Sequence, residues 1–402
     1  MVVTKITATG KFLIQNRSLS VFMLAEGFMF LAFEMIGPFG VLLFTKILGG
    51  TPAEYGVLNS VFFLILTLFA LPAGMFIVTV GLRTALFITY SVAGLSLAIR
   101  GFSLSPLMFA IGRILQSPSG ALDSIIAPVM VSGSVQERNL GKAFSLYDML
   151  TSVPAFIAPL AGALLIGALG YREMFGVAAV MLIIAAGLSL MIKIHTDQVD
   201  QTPSHKRVLS LAAIRAISSN KDALKRLSAL LAIYLARGIG ITAVYTYLPL
   251  YLTKQGLSVL ELGILYSLFD LAAVVLAVPV GQLVDKTQYK RKLLLLDAGG
   301  NLAFAAICIL NPPAIVAAGI VLIARIINMP GMTALSVQTS TVFEEKLRPQ
   351  VFALRTIALN TSAIIAPTLA GLFLQPEGEY TFIFTILGIS TLIYGILALF
   401  LR

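Results

Sequence analysis

The chain has 402 residues, 58% of them hydrophobic and only 11% charged, with a formal charge of +10 and no tryptophan. A soluble domain averages about 45–50% apolar and about 25% charged residues, so the composition excludes a soluble globular enzyme. The basic surplus lies between apolar runs rather than on one solvated face, which argues against a nucleic-acid partner; the single cysteine, Cys308, forms no intramolecular disulfide, and no Cys/His cluster offers a metal site.

Spanning a bilayer takes about 20 predominantly apolar residues. Runs of that length follow one another at 19–45, 55–78, 82–99, 106–131, 143–166, 174–194, 228–252, 259–283, 293–311, 313–335, 350–374 and 380–401. They predict an all-α membrane protein of twelve transmembrane helices. The first run is longer than a signal-peptide core and lacks a small-residue cleavage pattern, so it reads as a mature helix. With the N-terminus inside, twenty Lys and Arg fall on the inner side and four, Lys46, Arg100, Arg172 and Lys254, on the outer. That asymmetry places both termini in the cytoplasm and the chain in the cytoplasmic (inner) membrane, among its lipids.

The only long polar stretch, 195–226, separates an N-terminal six-helix bundle, 1–194, from a C-terminal one, 227–402. His195 and His205 both lie in it and read as solvated residues. Its segment Val208 to Ile217 has helical spacing of apolar residues; a helix along the membrane surface and a solvated linker both remain open.

The two bundles repeat one another at an offset of about 210 residues. Ala25-Glu26-Gly27 with Pro38 matches Ala236-Arg237-Gly238 with Pro249, and Glu54-x-Gly56 matches Glu261-x-Gly263. Leu71-Pro72-Ala73-Gly74 matches Val278-Pro279-Val280-Gly281, and Arg113-Ile114-Leu115-Gln116-Ser117-Pro118 matches Arg325-Ile326-Ile327-Asn328-Met329-Pro330. Ala158-Pro159 matches Ala366-Pro367, with small residues Gly162-Ala163 and Ala370-Gly371 following. Five matches in one order imply duplication.

At these residues the chain resembles the major facilitator superfamily. The family's loop motif, G-x-x-x-D-[RK] followed by basic residues, is matched by Gly281-Gln282-Leu283-Val284-Asp285-Lys286 with Lys290, Arg291 and Lys292. In the first half only Gly74, Gly81 and Arg83 survive, with Val78 where the acid belongs. Arg113-x-x-Gln116 resembles the fourth-helix motif. Ala158-Pro159-x-x-Gly162-Ala163 resembles the fifth-helix antiporter motif with two glycines replaced by alanine. The resemblance implies two pseudo-symmetric six-helix bundles that alternate access to a site between them. Small residues such as Gly162 let helices approach closely in lipid, and Pro159 can bend its helix; ordinary tight packing explains the same residues without antiport.

Ten ionisable residues fall inside the spans, where each is costly and marks a candidate site. Asp123, Asp148, Asp297 and Arg355 lie near cytoplasmic ends and read as interfacial or gate-packing groups. Glu26, Glu34, Arg113, Arg237, Asp270 and Arg325 lie deeper. Glu26 and Glu34 are about 12 Å apart along one helix and about 80° around it, so both can face one cavity. Arg113 is level with Glu34, which suits a buried pair, and Arg237 and Asp270 are expected to meet near the midplane. Glu26 has no basic residue on its level, so it reads as a proton- or cation-binding group.

Glu26 and Glu34 followed by Met35-Ile36-Gly37-Pro38 resemble the first helix of the MdfA-type multidrug/proton antiporters. That resemblance implies that the two acids serve proton and cationic-substrate recognition and that Arg113 is required. Met23, Phe28, Met29, Phe30 and Phe33, with Tyr234, Tyr245 and Tyr247 opposite, are candidate walls for varied apolar ligands.

The resulting expectation is a transporter, not an enzyme. It exports small lipophilic or cationic compounds against protons, the only cofactor, and works as a monomer. Glu26, Glu34, Arg113 and Asp270 handle the proton. Glu26, Glu34, Arg237, Met29, Phe30, Phe33, Tyr234 and Tyr245 meet the small-molecule substrate, and Gly281, Asp285, Lys286, Gln116, Pro159 and Gly162 serve conformational change. The alternative is proton-coupled uptake of a sugar, organic acid or other nutrient, with Arg237 holding a carboxylate. An intramembrane enzyme would need a nucleophile–base or metal pair in a span, and no span contains histidine. No segment resembles a channel's selectivity filter.

Overall fold

A computed structural model describes residues 16–133, 140–192, 221–285, 290–341, 348–374 and 380–400. Among them are twelve helices long and apolar enough to cross a membrane, and no strand. They are α1 (Arg17–Ile47), α2 (Pro52–Val80), α3 (Leu82–Gly101), α4 (Pro106–Gly133), α5 (Leu140–Ala168), α6 (Tyr171–Ser189), α7 (Lys221–Lys254), α8 (Val259–Asp285), α9 (Lys290–Ile309), α10 (Ala314–Thr341), α11 (Arg348–Phe373) and α12 (Thr381–Phe400). The protein is an integral, multi-pass membrane protein. Helices suit that setting because each satisfies its own backbone groups where no water can, and outward leucines and isoleucines such as Leu68 and Ile183 are left exposed for lipid.

Local signals explain several helix ends. Thr51 N–H donates to Glu54 Oε2 at 2.8 Å and Glu54 N–H donates back to Thr51 Oγ1 at 3.2 Å, a capping box that starts α2. Ser258 and Glu261 build the same box at α8, at 2.7 and 3.3 Å. The repeated Glu-x-Gly is therefore a repeated helix start. Gly81, at φ 83°, makes the one-residue turn from α2 to α3, a conformation that side chains with a Cβ disfavour. α1 is regular to Ile36, tightens to a 3₁₀ turn at Gly37–Phe39, where Pro38 interrupts the hydrogen-bond ladder, and widens to a π turn at Leu43–Ile47.

The chain divides into two compact units. The first is Met1–Gly40 with Ile65–Thr202, and the second is Val41–Leu64 with Pro203–Arg402. Residues 41–64, counted with the N-terminal bundle from sequence, thus cluster with the second unit. Within each unit the pairing is the same. In the first, α1 packs on α5 and α6, and α3 on α4 and α6; in the second, α7 packs on α11 and α12, and α9 on α10 and α12. The repeat seen in sequence is a repeat of packing.

Close approaches hold these pairs. A Cβ on Gly162 of α5 would collide with the Met35 carbonyl of α1, so the helices touch backbone to side. In the second unit the Tyr247 hydroxyl lies between the carbonyls of Pro52, at 2.9 Å, and Pro367, at 2.8 Å. Thr368 Oγ1 donates to Ser60 Oγ at 2.7 Å. Tyr247, a candidate cavity wall from sequence, is fully buried here and clasps the start of α2 to α11.

Candidate functional site

In the first unit the Glu26 carboxyl is completely buried. Tyr90 of α3 donates to its Oε1 at 2.6 Å and Tyr147 of α5 to its Oε2 at 3.1 Å. Asp123 of α4 comes within hydrogen-bonding reach of the same carboxyl, and its Oδ1 is buried without a partner. Four helices thus converge on one carboxyl, and no Lys or Arg is among these partners. Asp123, expected as a gate-packing residue, belongs to the Glu26 cluster because α4 turns that face inward. Tyr90 and Tyr147 were beyond sequence reasoning: tyrosines in apolar helices carry no signal of what their hydroxyls meet.

Glu34 is half-buried. A groove of about 520 Å³ runs along α1 and α5, lined by Ser20, Met23, Leu24, Gly27, Phe28, Leu31, Val153 and Pro154. At about 100° per residue the α1 members form one stripe, and Glu34, seven residues past Gly27, continues it within about 20°. Glu26 lies about 60° beyond Met23, the nearest groove residue around the helix. Glu26 is fully buried and Glu34 half-buried, and neither lines the groove. Met29 is buried, Phe30 and Phe33 are half-buried, and none of the three lines the groove. Of the candidate walls on α1, Met23 and Phe28 do.

On α4, Arg113 donates to Gln116 Oε1 at 2.9 Å, and Arg100 of α3 reaches the same oxygen at 3.1 Å. Arg100, counted from sequence among the outer-loop cations, is only 3% exposed and lies 4.7 Å over the Phe109 ring and 5.0 Å over Phe175. Those ring faces attract the cation, which is why it can end a helix without reaching water.

The second unit corrects the expected Arg237–Asp270 pair. Arg237 Nε donates to Asp297 Oδ2 at 2.8 Å, and Asp297 has no exposure. Tyr394 of α12 donates to the same oxygen at 2.8 Å, and Asn301 Nδ2 reaches Oδ1 at 3.2 Å. Asn328 Nδ2 donates to Asn301 Oδ1 at 3.1 Å. Gly331 of α10 makes the room, since a Cβ there would strike the Asp297 side chain. Counting residues along the spans missed this pair because rotation about each axis decides which side chains meet. Arg237 is thereby paired with a buried carboxylate.

Tyr234 is also corrected. It is buried in the core of the second unit, its hydroxyl shares a hydrogen bond with Thr339 Oγ1 at 2.9 Å, and Arg355 sits 5.1 Å over its ring. Asp270 is half-buried on α8 and faces the charge of Arg325 on α10. Arg325 also lies 5.9 Å from the centre of the Tyr245 ring.

Of the conformational candidates, Gln116 is the acceptor just described, and Pro159 and Gly162 lie in α5, with Gly162 against α1. Gly281 lies in the last turns of α8, where a Cβ would meet nothing, and Asp285 ends that helix. Lys286, the 208–217 segment and both histidines lie outside the described residues, as does the side chain of Asp148.

Residues 22–340 match the family model described as Major Facilitator Superfamily. No curated protein sequence matches the chain. Among solved structures, the nucleoside transporter NupG is similar with a TM-score of 0.77 at 12% identity, covering 95% of this chain and 100% of that one. A bacterial homologue of the human lysosomal transporter Spinster, in an inward-facing and unoccupied conformation, is similar with a TM-score of 0.69 at 14% identity, covering 95% of this chain and 96% of that one. At such identities the likeness is one of fold.

Proposed function

The chain belongs to the major facilitator superfamily, and we propose that it is a proton-coupled transporter of the cytoplasmic membrane that exports small lipophilic or cationic compounds by alternating access. The observation that carries this reading is the Glu26 carboxyl, enclosed, held by two phenols and set beside Asp123. Two carboxyl groups this close repel when both are ionised and bond when one carries a proton. Such a pair is suited to take up and release one proton as the bundles move, and the proton is then the only cofactor. Glu34 and the apolar groove on α1 and α5 supply what a lipophilic cation needs: apolar walls and, on the same stripe, a carboxylate. The protein acts as a monomer with both termini in the cytoplasm.

The test is ethidium-triggered proton release from purified protein in weakly buffered detergent. Wild type releases protons and Glu26→Gln does not; equal release from both removes the coupling role of Glu26. Direction is read in proteoliposomes with an imposed pH gradient, where export requires ethidium to move against the proton flow.

A second reading is proton-coupled uptake of a small polar nutrient. It is favoured by the fold likeness to NupG, a nucleoside transporter, and by the polar side chains near Asp270. Substrate movement with the proton flow would replace export by uptake.

A further inference from the structure

Three of the buried donors in the second unit that meet no acceptor lie near one another. Tyr245 Oη on α7, Tyr266 Oη on α8 and Arg325 Nε on α10 are each buried without a hydrogen-bond partner among the described residues. The Tyr245 hydroxyl oxygen can accept from the nearby Arg325 guanidinium, which still leaves the phenol protons and Arg325 Nε in need of an acceptor. Asp270 feels the Arg325 charge without closing an ion pair with it. Tyr266 faces Tyr245, Arg325 and Asp270 together, so the four polar groups form one cluster.

Between the phenols lies Phe269, 3% exposed, with ring centroids 6.5 Å from Tyr245 and 5.2 Å from Tyr266. The cluster thus combines a three-ring aromatic wall, three donors and one carboxylate. Buried donors without partners are costly and rare in native proteins. At the pseudo-equivalent place in the first unit, Arg113 Nη1 donates to Gln116 Oε1. In the second unit Asn328 stands where Gln116 does in the repeat, and it donates to Asn301 instead.

We propose that Tyr245, Tyr266, Phe269, Asp270 and Arg325 form a binding site for a planar heteroaromatic compound whose carbonyl or ring-nitrogen acceptors meet the two phenols and the guanidinium, and whose N–H meets Asp270. The net charge of the guanidinium and carboxylate is zero, which suits a neutral ligand over an ion. Aromatic faces hold the ring plane, and a ligand acceptor removes the penalty on each orphan donor. This site deepens the transport reading by naming a cargo class. It depends neither on the direction of transport nor on Glu26.

The experiment is equilibrium binding to the full-length protein in detergent with three probes: theophylline, which carries two carbonyls and one N–H; caffeine, in which that N–H is methylated; and ethidium, a planar cation with no such acceptors. Wild type binds theophylline more tightly than caffeine, and Asp270→Asn narrows the difference. Tyr245→Phe and Tyr266→Phe each weaken theophylline about two- to tenfold, the effect of one neutral hydrogen bond, and Arg325→Lys weakens it about tenfold or more because the planar fork is lost. Both phenylalanine variants keep the ring and remove an orphan hydroxyl, so their thermal stability without ligand is equal to or above that of wild type. Ethidium binding, which tests the groove and Glu34, stays unchanged in all four variants and shows that they are folded. If theophylline fails to bind, or binds all four variants as it binds wild type, the cluster is only a hydrated interior and the proposal falls. If theophylline behaves as expected while ethidium releases no proton, the coupling reading falls and this site stands.

Discussion

Replacing Asp297 by alanine tests whether Arg237 is a structural partner or a substrate ligand. Asp297 is fully buried and receives Arg237 Nε at 2.8 Å, Tyr394 Oη at 2.8 Å and Asn301 Nδ2 at 3.2 Å. In Asp297→Ala, Tyr394 still donates to the Leu294 carbonyl at 2.7 Å, and Asn301 Nδ2 still reaches the backbone carbonyl of residue 297 at 3.0 Å. The guanidinium alone loses its counter-charge, although a weak contact to Met332 Sδ at 3.4 Å remains. Stranding one member of a buried pair costs about 3–5 kcal/mol, and because the other donors keep an acceptor the total stays in that range. Converting both, as Asp297→Ala with Arg237→Met, removes the stranded charge and leaves mainly a packing defect, about 1–3 kcal/mol. The double variant is therefore more stable than Asp297→Ala alone by about 2 kcal/mol, and the coupling is that difference plus whatever Arg237→Met costs by itself. Equilibrium unfolding of purified protein in mixed micelles gives all four corners of the cycle. A cost below about 1 kcal/mol for Asp297→Ala, or a double variant as unstable as the sum of the singles, would refute the pairing and return Arg237 to the substrate side.

Three further outcomes follow from other contacts. Gly162→Val drives a branched side chain against the Met35 carbonyl, so α5 must move off α1; stability falls by about 1–3 kcal/mol and transport slows, measured by unfolding and by ethidium flux. Thr51→Ala removes one bond of its capping box and Ser258→Ala removes two, to the Glu261 N–H and to Glu261 Oε2; each costs about 1 kcal/mol, with the larger loss at Ser258, as parallel melts would report. Glu34→Gln lowers ethidium affinity at least severalfold while leaving theophylline unchanged, because only a cation uses that carboxylate; equal losses for both probes would place Glu34 in a general structural role.

Much of the fold was legible from residues close together in sequence. A span is recognised from the composition of about 20 consecutive residues, and all twelve predicted runs overlap an observed helix. The repeat was legible for the same reason. Glu54-x-Gly56 and Glu261-x-Gly263 match because each acid closes a capping box with a hydroxyl residue three positions before it. Glu26 could be singled out because a carboxyl in an apolar run with no base at its level is unusual in any arrangement.

The company each charge keeps was decided by tertiary structure alone. One residue of rotation turns a side chain about 100° around its helix, so the phase that sends Glu26 to Tyr90 and leaves Glu34 on the groove stripe depends on how α1 lies on α5 and α6. That phase is set by contacts such as Gly162 against Met35, between residues more than a hundred positions apart. The same holds for Arg237, which meets Asp297 because Gly331 of α10 leaves it room, and for Arg100, which ends its helix under two aromatic rings rather than in water. Hydrophobicity along the chain determined where the membrane is crossed; packing of helix on helix determined which polar groups face each other there.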